Sequence, residues 1–157
     1  MKTILAGYDG TDAAEQALSR SVELARAFGA KVTVVSVVAP QPIDISGACG
    51  LTPYSSYEIG HADPRTDELV WQQHRERVES YFREAGVASD FVGVVGDPAD
   101  EIVALAVQLG ADLIIVGTRH AGFVERVFAA SVSQGVAQRA PCDVLIVHTS
   151  DTPDTAD

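Results

Sequence analysis

The stretch DPADEIVALAVQLGADLIIVG, residues 97–117, decides the fold. Its first part predicts a helix over 97–110. Asp97 is a capping residue, Pro98 suits the first helical position, and Gly110 supplies the stop. Its second part, DLIIVG at 112–117, is a short apolar run closed by glycine, the pattern of a strand buried on both faces. A helix that feeds straight into such a strand is half of a β-α-β unit, which implies a parallel sheet with helices against it.

The same alternation extends in both directions. KTILAGY (2–8) is a strand. TDAAEQALSRSVELARAF (11–28) is a helix with Ala14, Ala17, Leu18, Val22, Leu24, Ala25 and Phe28 at helical spacing, Thr11 or Asp12 as cap and Gly29 as stop. KVTVVSVVA (31–39) is continuous and β-branched, so it reads as a central strand. Residues 64–86 carry a weak amphipathic face through Leu69, Val70, Val78, Tyr81 and Phe82, and DFVGVVG (90–96) is a strand. Beyond the opening stretch, SVSQGVAQRA (131–140) predicts a helix with Ser131 at its head, and DVLIVH (143–148) predicts the last strand. The fold class is therefore α/β, Rossmann-like and doubly wound. Ligands of such sheets bind beyond the carboxyl ends of the strands, where the winding reverses. If the first and fourth strands are neighbours, YDGTD (8–12) and VGTRHAG (116–122) share one crevice.

Two segments stand outside this alternation. Residues 40–63 hold three prolines and three glycines without a period, and loops of that length are lids, surface packing or disorder. Residues 149–157 read as a disordered acidic tail behind one domain of 1–148.

The net charge of −11 argues against nucleic acid and anionic membranes, which both attract basic patches. No apolar run reaches the roughly 18 residues of a membrane span. The amino-terminal residues pass straight into a strand, so a cytoplasmic protein is expected. Cys49 and Cys142 lack the spacing of a zinc site, and Cys142 reads as a small buried hydrophobe.

The crevice has the chemistry of an anion site. Gly117 permits backbone approach, Thr118, Ser131 and Ser133 bring hydroxyls, and Arg119, His120 and Arg126 bring positive charge. Asp9 can accept from a ribose hydroxyl or hold Mg²⁺ through water, and equally suits a plain turn before Gly10. Walker A and GxGxxG motifs are both missing. Lys2 and Lys31 begin strands, which places them at the opposite edge of the sheet. No lysine or nucleophile elbow is available for fast catalysis.

Three segments together resemble the universal stress protein family: ILAGYDGTDAAEQAL, VGDPADEIVALAVQLGADLIIVGTRH and SVSQGVAQRAPCDVLIV. The resemblance covers about residues 2–148. It implies a five-stranded parallel sheet of order 3-2-1-4-5. It also implies ATP binding through a pattern of glycine, two residues, glycine, nine residues, glycine, then serine or threonine. Gly117 matches the first position and Ser131 the last, while His120 and Ala130 stand at the second and third glycines. Carried over, Asp9 meets the ribose or Mg²⁺, and Val37 backbone groups meet adenine. Gly117, Thr118, Arg119, His120, Ala130, Ser131, Val132 and Ser133 surround the phosphates. A homodimer through the last strand, 143–148, is implied as well. The leading expectation is an adenine-nucleotide-binding stress regulator without strong catalysis. The alternatives are a nucleotide-independent dimeric interaction module and a slow ATPase.

Overall fold

The computed structural model describes residues 1–40, 64–118 and 126–149. In chain order the elements are β1 (Thr3–Gly7), α1 (Asp12–Phe28), β2 (Lys31–Val38), α2 (Pro64–Ala85), β3 (Ser89–Val95), α3 (Pro98–Leu109), β4 (Leu113–Thr118), α4 (Arg126–Arg139) and β5 (Asp143–His148). The five strands form one sheet in the order β3-β2-β1-β4-β5, and every pair is parallel. Both the expected fold class and the strand order hold.

The strands are apolar throughout because both faces are covered. Ile4, Ala6, Val32, Val34, Leu113 and Ile115 point to one side, where they pack with Ala17 and Leu18 of α1 and with Val78 and Phe82 of α2. Leu5, Val35, Ile114 and Val116 point to the other side, against Ala99, Ile102 and Ala106 of α3 and Val136 of α4. The alternation follows the two-residue period of a strand. Phe82 is 1% exposed, so its truncation to alanine would cost about 3–5 kcal/mol.

The caps follow the sequence closely. Thr11 is the cap of α1, and its hydroxyl accepts from the Ala14 N–H at 3.2 Å. Gly29 closes that helix in the left-handed region. Asp97 accepts from the N–H groups of Ala99 and Asp100, and Gly110 ends α3. Lys2 and Lys31 lie at the amino ends of their strands, with Lys31 paired to Asp90 at 2.5 Å. Phe28 and Leu69 depart from the expected apolar faces: both are more than half exposed. Cys142 is only partly buried, at the rim of the α3/α4 face.

One helix boundary differs from expectation. The last helix begins at Arg126, not at Ser131. No glycine or proline lies between 126 and 134, and Ala129 and Ala130 favour helix by about 1 kcal/mol each over glycine. Ser131, Val132 and Ser133 consequently sit within the helix. Their N–H groups point to carbonyls one turn earlier, and the unpaired donors belong to the turn starting at Arg126. The long loop expected over 40–63, apart from Pro40, and the tail beyond Thr149 lie outside the described residues.

Candidate functional site

Because all strands run in parallel, their carboxyl ends meet at one edge. The chain winds from β1 through α1 to β2 on one side, while β4 flanks β1 on the other. The switch point lies between β1 and β4, the place where sheets of this kind hold their ligands. Asp9 follows β1, Gly117 and Thr118 end β4, and Val37 lies near the end of β2. These four expected site residues share that edge. Val132 is partly buried against the α3/α4 face and Ser133 is buried. Arg119 and His120 lie outside the described residues.

The Asp9 turn is built by local chemistry. One Asp9 carboxylate oxygen accepts from the Thr11 N–H at 3.1 Å, an Asx turn that leads into the α1 cap. Gly10 has φ +78°, a conformation that suits glycine. Asp9 itself is exposed, and among the described residues its second oxygen accepts no hydrogen bond that would compete with a ligand hydroxyl.

Gly117 also has a neighbour that the sequence does not suggest. A side chain added there would meet the Ala13 carbonyl oxygen, and would lie 2.5 Å from its carbon and 2.8 Å from the Ala13 Cβ. The first turn of α1 therefore sits directly against the end of β4. The missing side chain permits helix and strand to touch.

Beside the crevice stands a residue that the sequence did not single out. His74, on α2, has Nδ1 2.7 Å from the Ser36 hydroxyl. Its ring meets Tyr8 edge-on, with centroids 5.0 Å apart at 82°. Its Nε2 lies 3.0 Å from the place where a Gly10 Cβ would stand. Burial pushes the imidazole below its ordinary value, and the nearby Asp9 carboxylate pulls it partly back. The available signal is periodicity, since His74 precedes Val78 and Phe82 of the core by four and eight residues on α2.

Tyr8 extends the cluster. Its phenol donates to Glu15 at 2.7 Å, and Arg77 donates to both Glu15 oxygens at 3.0 and 2.9 Å. Burial chiefly raises the Tyr8 phenol, with the Glu15 carboxylate adding to it. The Arg77 hydrogen bonds hold Glu15 below its usual range. These groups tie β1, α1 and α2 together behind the crevice. Among the described residues no cluster of three or more histidines, cysteines or carboxylates could hold a metal.

The parallel order 3-2-1-4-5, the switch point between β1 and β4 and the Asp9 turn at its strand ends define a doubly wound α/β domain. The chain belongs to the universal stress protein family, whose model matches residues 1–148. A universal stress protein of Thermus aquaticus is 36% identical over 94% of this chain and 98% of its own length. A putative universal stress protein of Staphylococcus haemolyticus is 34% identical over 98% of this chain and 88% of its own. Among solved structures, a universal stress protein in complex with cAMP is 29% identical, with TM-score 0.63, over 95% of this chain and 98% of that one. The Archaeoglobus fulgidus protein in complex with dAMP shares the fold with TM-score 0.68 at 23% identity, over 94% and 98%. Among the described residues no helix is long and apolar enough to cross a membrane.

Proposed function

We propose that this protein is a cytoplasmic stress regulator that binds an adenine nucleotide, ATP in the first instance, in the crevice between β1 and β4. The observation that carries this reading is the adjacency of the exposed Asp9 turn to the Gly117–Thr118 strand end at the switch point. A relative at 29% identity holds cAMP, which supports the ligand class. Asp9 accepts from a ribose hydroxyl through the oxygen left over from its Asx turn. Val37 backbone groups meet the adenine, and Thr118 with the α4 amino-terminal turn meets the phosphates. Mg²⁺ is the alternative partner of that Asp9 oxygen: it would be held mainly by the phosphates, since magnesium commonly binds through one or two carboxylates and substrate phosphates.

This is binding without strong catalysis. Both lysines lie at the opposite edge, and the titratable cluster behind the crevice is committed to internal bonds. Mass spectrometry of gently purified protein tests the reading: a co-purified adenine nucleotide supports it. Protein free of nucleotide, with calorimetry silent at millimolar AMP and ATP, would refute it.

A second reading draws on α4. Its start at Arg126 takes the N–H groups of Ser131–Ser133 into the helix, which favours a nucleotide-independent dimeric interaction module. In either reading two copies pair through β5, the apolar edge strand of the sheet.

A further inference from the structure

We propose that His74 is a positioning residue of the nucleotide crevice, holding the end of β2 against the Asp9–Gly10 turn from the α2 side. The inference rests on the binding reading above. Two contacts carry it, one at each end of the imidazole. Nδ1 shares a hydrogen bond with Ser36, which is 1% exposed and immediately precedes Val37. Nε2 lies against Gly10, which immediately follows Asp9. A single ring thus spans the neighbours of the adenine contact and of the ribose contact. The edge-on Tyr8 ring fixes its plane, so the spacing between the two strand ends is set by a rigid body. Gly10 is required twice, by its positive φ and by the room the imidazole takes.

The charge state of the ring matters to this role. Asp9 faces it from the turn after β1. Tyr8 faces it from β1 with its phenol committed to Glu15, and β2 contributes the uncharged Ser36. From α1, Glu15 is engaged by Tyr8 and by Arg77 of α2. A neutral ring leaves the second Asp9 oxygen for the ligand. A protonated ring donates from both nitrogens, so Ser36 must accept and the imidazolium attracts Asp9 in competition with a ribose hydroxyl. Nucleotide affinity therefore falls as the ring protonates. Burial favours the neutral form, so the loss comes on the acid side of the ordinary histidine range.

The test is calorimetric titration of AMP into the full chain between pH 7.5 and 5.5, with circular dichroism confirming that each variant is folded. His74→Asn keeps a partner for Ser36 but cannot reach Gly10 or titrate. It is expected to weaken AMP roughly tenfold at pH 7.5, the scale of one lost hydrogen-bonding arrangement, and to lack the additional acid-dependent loss of wild type. The ligand phosphate titrates equally in both proteins, so the difference between their profiles isolates the ring. Ser36→Ala is expected to weaken AMP as well, while keeping an acid-dependent loss. A His74→Asn protein matching wild type in affinity and in pH profile overturns this proposal alone. A wild type that binds no AMP at any pH overturns it together with the binding reading.

Discussion

Gly117 and Ala13 touch backbone to backbone: the carboxyl end of β4 has no side chain where the first turn of α1 passes over it. A glycine at this place therefore serves the fold whether or not a phosphate lies beside it. Gly117→Ala forces the Ala13 carbonyl to move, and overpacking of this kind costs about 1–3 kcal/mol. Urea unfolding should show a lower midpoint with an unchanged slope. A variant as stable as wild type would mean that α1 yields freely there. Gly117→Val should lose nucleotide as well, but only a variant shown to be folded can assign that loss to the crevice.

Asp9 holds its own turn and, on the binding reading, the ribose. The two roles separate by substitution. Asp9→Asn keeps an oxygen to accept from Thr11 but loses the charge, whereas Asp9→Ala loses both. Saturating ATP with Mg²⁺ should stabilise wild type by about 2.7 kcal/mol at a hundred times its dissociation constant. Thermal melts should show that stabilisation reduced in both variants, with the lower ligand-free melting temperature in Asp9→Ala. Equal stabilisation of all three proteins would remove Asp9 from the site.

Much of this arrangement is legible in the sequence. The capping signals at Thr11, Asp97, Gly29 and Gly110 are local, so the element order followed from neighbouring residues. Strand order depends on which elements meet far along the chain, and it came from family resemblance. The sequence points to a helix start at Ser131, five residues late, because a serine ahead of a helical run is an ordinary cap. The helix-favouring residues ahead of it, through Ala130, carry the helix back to Arg126. The role of His74 is not legible in the same way, because its partners Ser36, Tyr8 and Gly10 are remote in sequence.

The Glu15–Arg77 pair should leave a trace in the pH dependence of stability. Hydrogen bonds from Arg77 lower Glu15 from its ordinary 4.5. A carboxylate lowered in the folded state stabilises above its unfolded value, and that stability is lost as pH falls through the folded value. Arg77 is about half exposed, so the pair is worth about 1 kcal/mol or less after screening. Arg77→Gln should be less stable than wild type by that amount in urea at pH 7, and the gap should close on acidification below the ordinary glutamate range. A gap that persists in acid would assign the loss to packing of the Arg77 stem against Tyr81.

β5 should join two protomers. It pairs with β4 on one side only, and its apolar residues Val144, Leu145 and Ile146 are half-buried. An apolar edge strand with an open row of backbone groups invites a partner. Sedimentation equilibrium at micromolar concentration should give a dimer. A monomer there would leave β5 as a tolerated free edge.

The last prediction concerns the two positions where glycine is replaced. Nucleotide binding is expected to survive both replacements, because backbone donors do not depend on the side chains at 120 and 130. The helix start at Arg126 makes position 130 the sharper test. Ala130→Gly places glycine inside a helix and should cost about 1 kcal/mol in urea unfolding. If phosphate is held by the turn beginning at Arg126, that variant should bind ATP no better than wild type. If the site needs the N–H groups of Ser131–Ser133 released, Ala130→Gly should loosen the first turns and tighten ATP despite the lost stability. His120→Gly supplies the matching measurement on the other side of the loop. It should keep or improve ATP binding if the imidazole is merely tolerated. A wild type that fails to bind while His120→Gly binds would identify His120 as a plug of the phosphate site and overturn the expectation.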